Sequence, residues 1–470
     1  MPEFLCEVNF LQFDFTGKRC AVLGLGISNL PLIDFLLDRG ALVSARDQKD
    51  VDETDPRIAA WRARGVEFVT GDGYLDGIRA DYMFRSPGIR PDLPGIAAAV
   101  KDGAVLTSEM ELFFALCPAK IFAVTGSDGK TTTTTLTYKL LEAESAKEEK
   151  DRRVFVGGNI GAPLLPRLAE MRADDYAVVE LSSFQLMTMQ KAAWAAAITN
   201  ISPNHLNWHT DMEEYTAAKY RVLGAGTHRA VLNADNALSA AAPVPTGAEK
   251  IVFSLEKHPA DMDGDVKIYE EDGFICMDGE KVLRIADIKI PGRFNVANYM
   301  CAIGMTRGFI SPETVTELEK TFSGVEHRNE FVREVRGVRY YNSSIDSSPS
   351  RTIAALSAYP KAPILICGGR DKHVPFDGLA ETILTRAKAL VLTGEAKGQI
   401  LAAVKGAAHY RNDFPIRVTD DFAEAVRTAH DLAETGDIVL LSPACTSFDA
   451  FKNFEERGKT FKNIVNSFED

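Results

Sequence analysis

The run Ile121-Phe-Ala-Val-Thr-Gly-Ser-Asp-Gly-Lys-Thr-Thr132 constrains the fold more than any other stretch of the chain. Its first half is apolar or β-branched, which suits a strand buried on both faces. Gly126 and Gly129 then permit a tight loop whose backbone N–H groups can converge on phosphate oxygens. Lys130 and Thr131 open a helix, and the helix N-terminus adds partial positive charge to the same spot. In a loop of this kind the lysine neutralises the β- and γ-phosphates and the threonine hydroxyl holds Mg²⁺. The general pattern has a further glycine five residues before Gly129, where Val124 stands, so this is a shortened variant. A chance turn at a strand–helix junction is the plainer explanation, but Gly-Lys-Thr directly behind a buried strand weighs against it.

A phosphate loop needs a parallel α/β sheet, and the remaining chain has that pattern: short apolar strands alternate with helical segments. A strand over 20–25 enters the turn Gly24-Leu-Gly26, followed by a helix over 30–37 and a strand over 41–45. A second series opens at 121–125. A third follows Gly324, with strands expected over 338–342, 364–367, 389–392 and 438–441. The spacing predicts three α/β domains, over 1–110, 111–324 and 325–470: a Rossmann-like N-terminal domain, a central P-loop domain and a Rossmann-like C-terminal domain. A chain of 470 residues is ample for three such cores. The dense charge over 142–153 predicts a solvated helix end and loop.

The formal net charge of −13 argues against a nucleic-acid or anionic-membrane partner, both of which need basic surface. Seven scattered cysteines, an odd number without a C-x-x-C pair, fit a reduced compartment. The N-terminus carries no basic segment leading into an apolar run, and no stretch approaches the ~18 apolar residues needed to span a bilayer. A soluble, cytoplasmic protein is expected.

Other residues have both ordinary and chemical readings. Tyr176-Ala-Val-Val-Glu180 is a buried strand ending in an acid; alone, Glu180 reads as a surface strand end, but beside a P-loop it is well placed for Mg²⁺. His205 and His209 have the four-residue spacing of zinc ligands on one helix face. No glutamate follows His205 and no third ligand is evident, so zinc is the weaker reading. Lys219, on a helix expected over 212–223, is by itself simply a helix lysine.

Taken in order, Thr125-Gly-Ser-Asp-Gly-Lys-Thr131, Gly157-Gly-Asn-Ile-Gly161, Glu180-Leu-Ser-Ser-Phe-Gln185, His205 and Ala-Ala-Lys219 resemble the signature of the Mur ligases, ATP-dependent amide-forming enzymes. Ser86-Pro-Gly-Ile89, Glu326-His-Arg328, Leu441-Ser-Pro-Ala-Cys-Thr-Ser-Phe-Asp449 and Phe451-Lys-Asn-Phe-Glu-Glu-Arg-Gly458 resemble the D-glutamate-adding branch of that family. The resemblance runs from Gly24 to Gly458.

It implies ATP, D-glutamate and UDP-N-acetylmuramoyl-L-alanine as substrates and two Mg²⁺ ions, handled by a monomer. By the same resemblance, Gly126, Ser127, Asp128, Gly129, Lys130, Thr131 and Thr132 would hold ATP with Asn295, Asn298 and Arg328. Thr131, Glu180, His205 and a carbamylated Lys219 would hold metal. A partly buried lysine with a lowered pKa can capture CO₂ as the neutral amine, which makes an anion able to help arrange Mg²⁺. Gly26, Ile27, Ser28, Asp47, Lys49 and Ser86 would hold the UDP substrate, with Asn159 and Ser182 facing substrate and phosphates. Lys372, Ser447, Phe448 and Phe454 would form the D-glutamate pocket, where a desolvated carboxylate needs charge-assisted donors. For Asn295 helix-start capping is the ordinary reading, and for Lys372 a solvated loop lysine.

The chain departs from the pattern in places. Ser343 stands where many relatives carry Asp in an Asn-Asp-Ser motif, Ile345 where a lysine is frequent, and Asn204 and Asn207 where acids are common beside His205. Two readings from other classes compete. Gly24 and Gly26 with Asp47 about 20 residues on match the ribose-binding spacing of a nicotinamide dehydrogenase, which leaves the P-loop unexplained. A non-catalytic nucleotide sensor leaves the joint presence of Lys130, Glu180, His205 and Lys219 unexplained.

Overall fold

The computed structural model describes residues 14–147, 151–371 and 374–469, and its strands form three separate sheets. The first is parallel throughout, in the spatial order Glu67–Thr70, Leu42–Asp47, Arg19–Leu23, Tyr82–Arg85, Val105–Thr107. In the nine-stranded second sheet, Lys120–Thr125 lies between Tyr176–Glu180 and Ala195–Ile198. Val154–Gly158 flanks the former, and Arg229–Asn233, Glu249–Ser254, Val266–Glu271, Phe274–Met277 and Glu280–Arg284 continue beyond the latter. The third sheet runs Glu330–Val335, Val338–Asn342, Ile438–Leu441, Ile364–Gly368, Ala389–Thr393, Ile416–Val418, antiparallel at its first pair and parallel thereafter.

The central strands read as unbroken apolar runs because helices cover both faces. Every residue of Tyr176–Glu180, Ala195–Ile198 and Ile438–Leu441 is buried. Phe122 fixes the middle strand of the second sheet. Its ring meets Tyr176 and Phe309 edge-on at 5.5 and 5.3 Å and Trp194 at 5.8 Å. Such pairs add about 0.5–1.5 kcal/mol each beyond their burial.

Two compact units result. One holds the first two sheets, runs to Leu283 and takes in Ala297–Leu318; the other consists of Arg284–Val296 and the chain from Glu319 onward, and holds the third sheet. Strands Tyr176–Glu180, Val338–Asn342 and Ile438–Leu441 coincide with the expected ranges. The strand expected over 41–45 runs Leu42–Asp47, and the helix expected over 212–223 is Met212–Tyr220, which still contains Lys219. Among the described residues no helix is long and apolar enough to cross a membrane.

In each parallel sheet a strand with neighbours reached in opposite directions leaves a crevice at its C-terminal end, the usual ligand position in open α/β sheets. Strand Lys120–Thr125 is such a strand, and so is Arg19–Leu23.

Candidate active site

The loop after Lys120–Thr125 is built around two glycines that cannot be replaced cheaply. Gly126 has φ 152°, and a Cβ there would lie 1.9 Å from Thr199 Oγ1. Gly129 has φ 78°, and its Cβ would lie 2.3 Å from Asn298 Oδ1. The loop is stitched to the end of the neighbouring strand. Ser127 N donates to Asn200 O at 2.8 Å, Asp128 N to Asn200 Oδ1 at 3.0 Å, and Thr199 Oγ1 to Asp128 O at 2.6 Å. Ser127 Oγ donates to Ser202 O and meets the Tyr215 hydroxyl, both at 2.9 Å. Lys130 Nζ folds back onto the carbonyls of Gly126 and Ser127, each at 2.9 Å. Helix Lys130–Ser145 follows, with Thr131 half-buried and Thr132 buried in its first turn. Thr133 Oγ1 donates to Asn298 Oδ1 at 3.2 Å, which ties that asparagine to the loop's helix.

Parallel pairing of Val124 with Glu180 sets an acid beside this loop. Glu180 is buried, its Oε1 accepts from Asn159 Nδ2 at 2.8 Å, and its carbonyl accepts from Asn159 N at the same distance. Gly158, at φ 96°, allows the approach, since a Cβ there would sit 2.3 Å from Glu180 O. The other carboxylate oxygen, Oε2, is buried without a hydrogen-bond partner. Such an oxygen fits a hard cation, which takes oxygen ligands. Ser182 follows as the cap of the short helix Ser183–Leu186: its Oγ accepts from Gln185 N, and Gln185 Oε1 accepts from Ser182 N.

Lys219 comes from helix Met212–Tyr220, whose start is fixed by Asp211 accepting from Glu214 N. It is buried, with Nζ 2.7 Å from Gly126 O and 4.7 Å from the centre of the Tyr215 ring. Burial, aided by the charge of Lys130 and opposed by Asp128 and Glu180, pushes this lysine down to about 6. His205, exposed and at φ 55°, is held below the usual histidine range by desolvation and by Lys130 and Lys219. Lys130, Lys219, Asp128, Glu180 and His205 thus share one electrostatic neighbourhood. Among the described residues no three His, Cys, Asp or Glu side chains gather as a metal site. A cation held by Glu180 and His205 would therefore also need the Thr131 hydroxyl, substrate oxygens or a modified Lys219. His209 has no ring nitrogen to spare, since Nε2 meets Ser183 Oγ at 2.9 Å and Nδ1 meets Glu214 Oε2 at 3.2 Å.

At the first sheet's crevice, Gly24 at φ 85° packs so tightly on Ser86 that a Cβ would lie 2.7 Å from Ser86 Cβ. Ile27 is 79% exposed on the turn, and Ser28 precedes helix Asn29–Leu37 without capping it through its side chain. Gly26 has open space where a Cβ would be. Asp47 accepts from Leu25 N at 2.6 Å and from Lys49 N at 2.8 Å, locking the turn to the neighbouring strand end. Asn29, where a dinucleotide fingerprint has glycine, is buried and donates to the carbonyls of Leu23 and Gly24.

Three Mur ligase models match the chain: the MurD-like N-terminal domain over residues 18–108, the middle domain over 124–306 and the glutamate ligase domain over 327–445. A UDP-N-acetylmuramoylalanine–D-glutamate ligase of Ruminiclostridium cellulolyticum is 44% identical, with 97% of each chain covered. The protein of the same name from Clostridium novyi is 45% identical over 96% of this chain and 97% of its own. The chain belongs to the Mur ligase family. A solved UDP-N-acetylmuramoyl-L-alanyl-D-glutamate–2,6-diaminopimelate ligase superposes on this Mur ligase with a TM-score of 0.58 at 18% identity, covering 96% of this chain and 93% of that one, and so shares its fold.

In the second unit of this Mur ligase, Asn295 is buried and donates to Pro291 O at 2.6 Å. His327, at φ 65° and buried, meets Asn342 Nδ2 at 2.9 Å, while Arg328 beside it is half-buried. Ser447 is buried, Phe448 is 58% exposed, and Phe454 is half-buried and edge-on to His327 at 6.0 Å. Lys372 lies outside the described residues. Sequence reasoning passed over Asp346, whose carboxylate accepts from Ser442 Oγ at 2.8 Å and is raised by burial to about 6. It also passed over Arg85 and Arg90. Arg85 is buried and donates to the carbonyls of Ile89 (2.6 Å) and Phe184 (2.7 Å), joining the first sheet's loop to the Glu180 segment. An arginine directly before Ser-Pro-Gly carries no sequence signal that separates it from a surface arginine.

Proposed function

We propose that this Mur ligase joins D-glutamate to UDP-N-acetylmuramoyl-L-alanine at the expense of ATP, as the names of its 42–45% identical relatives suggest. One observation carries the catalytic assignment: Lys130 and Lys219 converge on the Gly126 carbonyl beside a buried Glu180 oxygen that accepts no hydrogen bond. The γ-phosphoryl of ATP passes to the L-alanyl carboxylate, giving an acyl phosphate. The D-glutamate amine attacks its carbonyl, and the tetrahedral adduct expels phosphate to leave the amide. Positioning and charge neutralisation supply most of the catalysis in phosphoryl transfer. Lys130 turns from its backbone carbonyls to the β- and γ-phosphates, and Gly126, Ser127, Asp128, Gly129, Thr131 and Thr132 wrap them. Thr131, Glu180, His205 and Lys219 as its carbamate would hold Mg²⁺, which supplies positive charge at the transferring group.

Asn298 borders the nucleotide through its contact with the loop helix, and Asn295 and Arg328 are assigned to the same substrate. Residues 1–110 take the uridine diphosphate end of the acceptor through Gly26, Ile27, Ser28, Asp47, Lys49 and Ser86, with Asn159 and Ser182 facing its reacting end. Residues 111–324 take ATP. Residues 325–470 take D-glutamate through Lys372, Ser447, Phe448 and Phe454. The enzyme works in the cytoplasm as a monomer. The test is phosphate release with ATP, Mg²⁺ and UDP-N-acetylmuramoyl-L-alanine as amino acids are added singly. Release with D-glutamate alone is expected. Release only with L-lysine or diaminopimelate would overturn the acceptor assignment while keeping the ligase chemistry.

A further inference from the structure

His205 is held in a left-handed backbone conformation by its neighbours rather than by its own preference. Its carbonyl accepts from Trp208 N and His209 N, both at 3.0 Å. Where His205 points therefore depends on what fixes residues 208 and 209. The His209 ring is tied to Ser183 Oγ at 2.9 Å and to Glu214 Oε2 at 3.2 Å, and it stacks on Phe184 with a 12° tilt at 5.6 Å. Ser183 is three residues past Glu180. One imidazole thus fastens together the two segments that carry the expected cation ligands.

The chain of contacts does not stop there. Glu214 also accepts from Thr210 N at 2.9 Å and takes both arms of the Arg90 guanidinium, at 3.0 and 3.2 Å. Arg90 donates to Trp208 O at 2.6 Å, and Trp208 Nε1 donates to Gly88 O at 3.0 Å. Arg90 and Gly88 belong to the 86–90 loop of the first sheet, directly behind Ser86. Ser183, His209 and Glu214 also have the spacing of a serine-hydrolase triad. Both Ser183 and His209 are only 2% exposed, so no substrate carbonyl can reach the hydroxyl, and the arrangement is a clamp rather than a nucleophile.

We propose that His209 is a positioning residue for His205, and that Arg90, through Glu214, lets the 86–90 loop of the UDP-side sheet set the geometry of the cation site. This rests on the reading of His205 and Glu180 as cation ligands. Groups that orient ligands from behind typically change metal affinity by about 10–100-fold when removed.

The test is a Mn²⁺ titration of the full-length protein by electron paramagnetic resonance, with adenosine 5′-(β,γ-imido)triphosphate present and neither UDP substrate nor D-glutamate added. The variants are His209→Ala and Arg90→Lys, each checked by thermal unfolding. His209→Ala is expected to weaken Mn²⁺ binding by about 10-fold or more. Arg90→Lys keeps the charge but loses the two-armed contact, and is expected to weaken Mn²⁺ binding by about threefold while raising KM for the UDP substrate. If Arg90 serves only its own loop, that KM rises alone. Wild-type Mn²⁺ affinity in folded Arg90→Lys overturns the proposal, and does so whether or not His209→Ala folds. Wild-type protein that binds no Mn²⁺ with the analogue overturns it too. The ligase reading is judged separately, by phosphate release with D-glutamate.

Discussion

The side-chain nitrogens of Lys219 and Lys130 both donate to the carbonyl oxygen of Gly126, at 2.7 and 2.9 Å. Burial makes charge on Lys219 costly, and the Lys130 ammonium on the same carbonyl adds to that cost, so the Lys219 amine is pushed down to about 6. In the proposed reaction an incoming triphosphate would offer Lys130 stronger acceptors than the loop's own backbone. Lys130→Ala is expected to lower kcat by about 10²–10³ with the circular dichroism spectrum and melting temperature unchanged. Near-normal turnover in the folded variant would remove Lys130 from the chemistry.

Lys219→Met keeps the length of the side chain and deletes an amine that burial makes costly to charge. Phosphate release should fall by about 10² or more, while thermal stability at pH 7 should hold or rise, as when a buried ionisable group is replaced by an apolar one of similar volume. A variant that melts well below wild type would make Lys219 structural instead.

Gly129→Ala tests the cradle without touching a charge. Its φ of 78° and the 2.3 Å approach of Asn298 Oδ1 leave no room for a methyl group. Strain of about 1–3 kcal/mol is expected, to be read as a weaker dissociation constant for a non-hydrolysable ATP analogue by calorimetry. Gly26→Ala, with open space at its Cβ position, should leave that constant unchanged.

Glu109 gives a pH prediction away from the chemistry. Burial raises its carboxyl from 4.5 to about 7, opposed by a hydrogen bond from the Leu165 backbone, and its Oε1 has no partner. A raised acid binds more protons in the folded state than in the unfolded one between those two values. Its stabilising contribution is therefore complete below 4.5 and lost as the pH rises through about 7. Glu109→Gln should flatten the fall in unfolding midpoint from pH 5 to pH 8 and raise the pH 8 value, by at most about 3 kcal/mol in stability. An unchanged pH dependence would refute this.

Much of this architecture is legible in the chain because phosphate loops and parallel strands are written locally. Val124, Gly126, Gly129 and Lys130 are neighbours in sequence and in space, and the Tyr176–Glu180 strand is apolar up to its acid. The antiparallel edge from Val266 to Arg284 is harder to see, because its strands mix charged and apolar residues. Its signal lies in the turns: Asp272-Gly273 and Asp278-Gly279 all take positive φ, as tight hairpins require. The Arg90–Glu214–His209 clamp could not be read from spacing at all. Arg90 and Glu214 are 124 residues apart, and each is an unremarkable surface type until folding brings them together. His209 illustrates the same limit: its four-residue interval from His205 suggests a shared metal, whereas in three dimensions its ring turns away to Ser183.

The helix that opens with Lys130 carries threonine at every position from 131 to 135. β-Branched residues are poor helix formers, and a helix of this length is marginal on its own in water. It persists because Thr133, Thr134, Thr137, Leu136, Leu140 and Leu141 are buried against the sheet, with one hydroxyl bound to Asn298. The phosphate cradle is therefore not a detachable module. It exists while the nine-stranded sheet exists and vanishes with it, so nucleotide occupancy and the integrity of that sheet belong to one linked equilibrium. An enzyme built this way is best protected against unfolding when it is best supplied with ATP.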